Sequence, residues 1–143
     1  NAVMTVETIP DIEDYVVTLL QKAIDLRNTI SGRRYSDIIL TAQKLIREEY
    51  MSEEISLNVV AARVCMSPSY FSTIFSKETG KTFIEYLTEV RMEKAKEYLV
   101  CTNRKTSDIA FEIGYKDPHY FSFLFKKTQG CTPKEYRTSR KEW

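Results

Sequence analysis

The chain has one histidine, His119, and three cysteines, at 65, 101 and 131. A catalytic nucleophile needs a base beside it, and a tetrahedral metal site needs ligands in closely spaced pairs. His119 has no companion Ser, Cys or carboxylate motif, and the cysteines are odd in number and widely spaced. The expectation is no catalytic residue, no metal, no cofactor and no enzyme, with the cysteines reduced and acting as small apolar residues. What the sequence offers instead is hydrogen bonding and charge at helical spacing. Ser69, Ser72, Thr73 and Ser76 share one helix face, and fifty residues on the same places hold His119, Ser122, Phe123 and Lys126, with Lys127 adjacent. Short hydroxyl residues are a mildly costly choice for a solvated helix face. They suit a face whose backbone comes close to another surface and bonds base edges there. Lys77, Lys126 and Lys127 sit near helix ends, where they can reach phosphate oxygens, and His119 near a helix start can meet a phosphate or a base edge. A plain solvated face is the alternative for each of them.

These residues are positioned by a duplicated frame. Aligning 67–86 with 117–136 gives ten identities in twenty positions, among them Pro, Phe, Gly and Thr at structurally telling places. Upstream, "VAARVCM" from Val60 matches "IAFEIGY" from Ile109 with the offset reduced by one, Lys116 being the insertion. The repeated unit is therefore about 35 residues, the size of a supersecondary motif. Ser67-Pro68 and Asp117-Pro118 each supply an N-cap acceptor and a proline at the first helical position. Phe71, Ile74 and Phe75, then Phe121, Leu124 and Phe125, form matching apolar stripes. Gly80 and Gly130 are placed to end these helices in left-handed caps. Capping boxes then open a further helix in each copy, at Thr82-x-x-Glu85 and Thr132-x-x-Glu135.

A shorter helix precedes each proline-capped one, at 57–64 and 107–113, with Cys65 or Gly114 in the tight turn between. The spacing predicts an all-α fold: two helix-turn-helix units joined by a long linking helix over 83–100 and preceded by an amphipathic N-terminal helix. The linking helix is expected to bury Tyr86, Leu87, Val90, Ala95, Tyr98 and Leu99. It would span roughly 25 Å, against ~34 Å for one turn of duplex.

The composition, 43% hydrophobic and 29% charged, is ordinary for a globular protein and favours neither a disordered nor a membrane class, and no apolar run is long enough to span a bilayer. With Asn1 first and no signal pattern, the chain reads as a cytoplasmic piece of something longer. Net charge is only +1, but residues 105–141 carry eight Lys or Arg against four acids, and residues 1–30 carry five acids against two bases.

The segments "SPSYFSTIFSKETGKTFIEYLTEVRMEKAKEYL" and "IAFEIGYKDPHYFSFLFKKTQGCTPKEYR" resemble the DNA-binding domain of the AraC/XylS family of bacterial transcription regulators. The likeness runs from about Ser36 to Arg140 and is strongest to the kind attached to response-regulator receiver domains. It implies seven helices, two recognition helices in adjacent major grooves of double-stranded DNA, and activation by recruiting RNA polymerase. Carried over by position, base reading falls on Ser69, Ser72 and Thr73 in the first unit and on Pro118, His119, Tyr120 and Phe123 in the second. Contacts to the DNA backbone fall on Lys77, Lys126, Lys127 and Arg91. The sequence departs from the family at Thr73 and Phe123, a slot often filled by Arg or Lys, so a bidentate cation reading guanine is missing from both.

Residues 1–35 read as a linker and 36–143 as the double helix-turn-helix domain. Within the first part Ile12, Val16, Leu19, Ala23, Leu26 and Ile30 are spaced 4, 3, 4, 3, 4, a heptad seam that Gly32 is expected to end. Such a helix either packs on its own domain or forms a homodimer through 12–30. The rival to DNA binding is a helical protein-interaction module that kept the fold, for which Phe123 is the best argument. A repair methyltransferase fused to the fold is disfavoured, because none of the cysteines has a histidine-bearing context.

Overall fold

The computed structural model describes the backbone of residues 9–141 and, within it, the side chains of 12–24 and 35–140. Among these residues there are seven helices and no strand. They are α1 (Ile9–Glu49), α2 (Leu57–Arg63), α3 (Pro68–Thr79), α4 (Phe83–Cys101), α5 (Thr106–Glu112), α6 (Pro118–Gln129) and α7 (Pro133–Lys141). The contacts divide the chain into two compact units, residues 1–38 and 39–143.

Within residues 39–143, local chemistry sets the helix ends. Ser67 Oγ accepts from the Tyr70 amide at 3.3 Å, and Asp117 Oδ1 from the His119 amide at 2.9 Å, so α3 and α6 both start on a capped proline. Gly80 and Gly130 adopt φ of 74° and 83° and close the same helices by donating to the Ser76 and Lys126 carbonyls. Both capping boxes form reciprocally, Thr82 with Glu85 and Thr132 with Glu135, all four bonds at 3.1 Å.

The core is built twice from the same parts. Phe71, Phe75, Phe121 and Phe125 are fully buried. Phe75 meets Tyr86 edge-on at 5.5 Å, and Phe125 meets Tyr136 edge-on at 5.6 Å. Each such pair contributes about 0.5–1.5 kcal/mol beyond the area it buries. Phe83 completes the first cluster, 6.5 Å from Phe71 and 6.2 Å from Phe75, and Tyr115 leans on Phe121 in the second. α4 belongs to both halves. Its first turns bury Phe83, Tyr86 and Leu87 and its later turns bury Met92, Ala95 and Leu99. Val90, Tyr98 and Leu124, expected in the core, are only half-buried.

The turns before α3 and α6 also match. Met66 donates to the Ala61 carbonyl and Tyr115 to the Ala110 carbonyl, both at 2.9 Å. The turn residue in each has positive φ, 59° at Cys65 and 103° at Gly114. All three cysteines are free thiols, Cys65 and Cys101 exposed at the tip of a turn and the end of a helix and Cys131 half-buried.

Gly32 does not end the N-terminal helix, because α1 runs through it without a break. A glycine inside a helix costs only about 0.5–1 kcal/mol. It stops one when the next residues refuse helix, and no proline follows here. In residues 1–38, Ile12, Val16 and Leu19 of the heptad seam are exposed, and so are Tyr15, Val17, Leu20 and Ile24 outside it. Leu26 and Ile30 lie outside the described side chains.

Candidate nucleic-acid interface

Burying Phe71, Ile74 and Phe75 turns the other side of α3 outward. Ser69, Thr73 and Lys77 are exposed there, with Ser72 and Ser76 half-buried at the margins. The Thr73 hydroxyl donates to the Ser69 carbonyl at 3.0 Å. Its proton is thus used within the helix, which leaves an oxygen that can accept from a base amino group and a methyl that can pack on thymine. The matching face of α6 exposes His119, Tyr120, Phe123, Lys126 and Lys127, with Pro118 and Ser122 half-buried. Phe123 is 60% exposed, and the Lys127 ammonium lies 6.0 Å from its ring centre. A ring left this exposed gains little burial free energy on folding, so a surface that covered it would gain that free energy on binding.

The lysines on these helices differ from several others in their pairing. Lys81, Lys94, Lys96 and Lys116 are each paired with a glutamate. Among the described residues no carboxylate pairs with Lys77, Lys126 or Lys127. Their charge is therefore available to an anionic partner.

Arg91 does not join this surface, contrary to its expected place among the backbone contacts. It is 8% exposed, donating from Nε to the Tyr50 carbonyl at 2.8 Å and from a terminal nitrogen to the Ser52 carbonyl at 2.9 Å. The guanidinium also lies over the Tyr115 ring at 4.8 Å. A basic residue on a linking helix reads as solvent-facing in sequence, but here the helix packs that side inward and the charge is met by carbonyls and a ring face. Burial raises the Tyr115 phenol above its ordinary pKa, with Arg91 acting against that rise.

The structure adds Tyr70, which is 46% exposed on α3. It is the repeat's counterpart of Tyr120, so the internal alignment could have found it. Among the described residues no group of three or more His, Cys, Asp or Glu is placed to hold a metal ion. No described helix is long and apolar enough to cross a membrane.

Two tandem units of this geometry, sharing one helix, define a double helix-turn-helix domain. The sequence agrees with the geometry: residues 60–139 match a family described as a helix-turn-helix domain. The transcriptional regulatory protein YesN of Bacillus subtilis is 40% identical over 105 residues, 71% of this chain and 28% of that protein. The transcriptional regulator YtdP of the same organism is 31% identical over 99% of this chain and 18% of its own length. The C-terminal domain of AraT, a response regulator from Geobacillus stearothermophilus, superposes with a TM-score of 0.71 at 39% identity, covering 72% of this chain and 85% of that one. The chain belongs to the AraC-type helix-turn-helix family of transcription regulators. It spans less than a third of the length of YesN and YtdP.

Proposed function

We propose that this chain is the sequence-specific, double-stranded DNA-binding output module of a bacterial transcription activator. Its sensor is either a phosphorylated receiver or a ligand-binding domain, it acts in the cytoplasm, and it carries no catalytic activity of its own. α3 and α6 enter adjacent major grooves from one side of the duplex. Ser69, Ser72, Thr73 and Ser76 read or approach bases in one groove, and Pro118, His119, Tyr120, Ser122 and Phe123 do so in the next. Lys77, Lys126 and Lys127 bond phosphates. The observation that carries this reading is the duplication itself: two helices with matching caps and buried phenylalanines, each with its opposite face open and its lysines unpaired by any described carboxylate. Selection of bound sequences from a random duplex pool tests it. The expected result is an enriched asymmetric motif bound with a steep salt dependence; no motif and salt-insensitive binding would sink it.

Two partners complete the proposal. The exposed seam of Ile12, Val16 and Leu19 supports a homodimer through 12–30, checked by sedimentation across a range of concentrations. RNA polymerase is the partner through which activation would follow. The exposure of Phe123 favours a second reading, a protein-binding surface on α6.

A further inference from the structure

The two helix-turn-helix units meet around one side chain. Arg91 holds the carbonyls of Tyr50 and Ser52, which lead from α1 into the first unit, and stacks on Tyr115, which closes the turn of the second. Gly114, just before Tyr115, comes so near that an added Cβ would stand 2.7 Å from an Arg91 terminal nitrogen and 2.9 Å from the Tyr50 oxygen. At the rim of this contact Lys116 Nζ pairs with Glu53 at 3.8 Å, again one residue from each unit. Tyr115 in turn rests against Tyr120 and Phe121, both with ring centres at 5.9 Å. An unbroken run of contacts therefore leads from the end of α1 through Arg91 to the first turn of α6.

We propose that Arg91 sets the spacing between the two DNA contacts: it is a positioning residue that fixes how many base pairs separate the groove read by α3 from the groove read by α6. The inference rests on the DNA-binding reading above. Apolar packing along α4 is non-directional and tolerates small rotations of one unit against the other. A planar guanidinium bound to two carbonyls and one ring face does not. One added base pair moves a groove by about 3.4 Å and turns it by about 35°, beyond what a rigid pair of units can follow.

The test uses the duplex that the chain itself selects from a random pool, rebuilt with one base pair inserted or deleted between the two contacted segments. Affinities of the chain and of Arg91→Lys are measured on each duplex by fluorescence anisotropy over a range of salt. The unaltered chain is expected to lose about tenfold or more with either change of spacing. Arg91→Lys is expected to bind the parent duplex more weakly yet lose less than about threefold on changing the spacing, with its salt slope unchanged. A folded Arg91→Lys with the full spacing penalty would overturn the inference and leave Arg91 a stability residue. A salt slope lowered by about one would overturn it differently, by making Arg91 a phosphate contact. If circular dichroism shows Arg91→Lys unfolded, the exposed Glu53→Lys, which sets like charges opposite at the rim, takes its place: at least about a twofold relaxation of the spacing penalty supports the inference, and none overturns it. An unaltered chain that selects no sequence takes down the DNA reading itself, which is a separate failure.

Discussion

The first and second helix-turn-helix units share caps, glycine ends, capping boxes and an edge-on Phe–Tyr pair, yet differ in how their turns are made and what their open faces carry. The first turn uses Cys65, which has room for a side chain; the second uses Gly114, which has none. The first open face is a row of hydroxyls, while the second offers aromatic rings, an imidazole and lysines. A guanidinium holds the element before each unit. Arg91 binds the carbonyls that follow α1, and Arg137 of α7 binds the Leu99, Thr102 and Arg104 carbonyls at the end of α4, at 3.0, 3.5 and 2.6 Å. By the repeat's offset of fifty, Arg137 corresponds to Leu87, one turn before Arg91. The same task was thus solved from different positions. The scaffold of the repeat has been kept, and what each copy touches has diverged.

The largest test of that contrast is at the turns. Gly114→Ala forces a side chain into a φ of 103° and against a backbone oxygen, and should destabilise the fold by about 3 kcal/mol. Cys65→Gly should change stability by less than about 1 kcal/mol, since relief at φ 59° offsets a looser unfolded chain. Urea melts on the two variants would break the comparison if they shifted alike.

Next come the two arginines. Arg91→Ala removes buried charged hydrogen bonds and leaves two carbonyls unmet, for about 2–3 kcal/mol. Arg137→Ala, at a half-exposed site where water can replace the donor, should cost about 1 kcal/mol. Equal losses in thermal melts would mean that burial does not distinguish them.

On DNA, Phe123→Ala is expected to weaken selected sites by about 1 kcal/mol, mainly those with thymine at one position, whereas Lys126→Ala should weaken all duplexes alike and lower the salt slope by about one. A uniform loss for Phe123→Ala would mark packing or a protein partner instead.

The smallest effect concerns pH. The folded state holds the Tyr115 proton more tightly than the unfolded chain does, because burial disfavours the phenolate. Its stabilisation is whole below the unfolded value of about 10 and is lost as pH rises through the higher folded one. Tyr115→Phe should flatten the alkaline arm of a stability–pH curve, and an unchanged arm would assign that arm to another group.

Much of this was legible in the sequence because it is local. Ser67-Pro68, Gly80 and the capping boxes act within a few residues of themselves, so their types announce their roles. The stripes at Phe71 and Phe75 follow from helical period alone. Gly32 misled because a glycine reports permission to bend, not a force that bends. Arg91 misled because period assigns a residue to a side of a helix but cannot say what packs there. Its partners at Tyr50 and Ser52 are 41 and 39 residues away. Tyr70 was within reach, since comparing the two copies points to it once Tyr120 is chosen.

The hold that Arg137 keeps on the end of α4 bears on how the chain is made. The donor follows Leu99 by 38 residues. As the polypeptide leaves the ribosome, residues through the shared helix emerge well before the group that secures its last turn. The first unit can assemble during synthesis, whereas the second stays incomplete until translation has passed Arg137. A partly made chain would then present α3 on a finished unit while α6 still waits for the last turn of α4 to be secured.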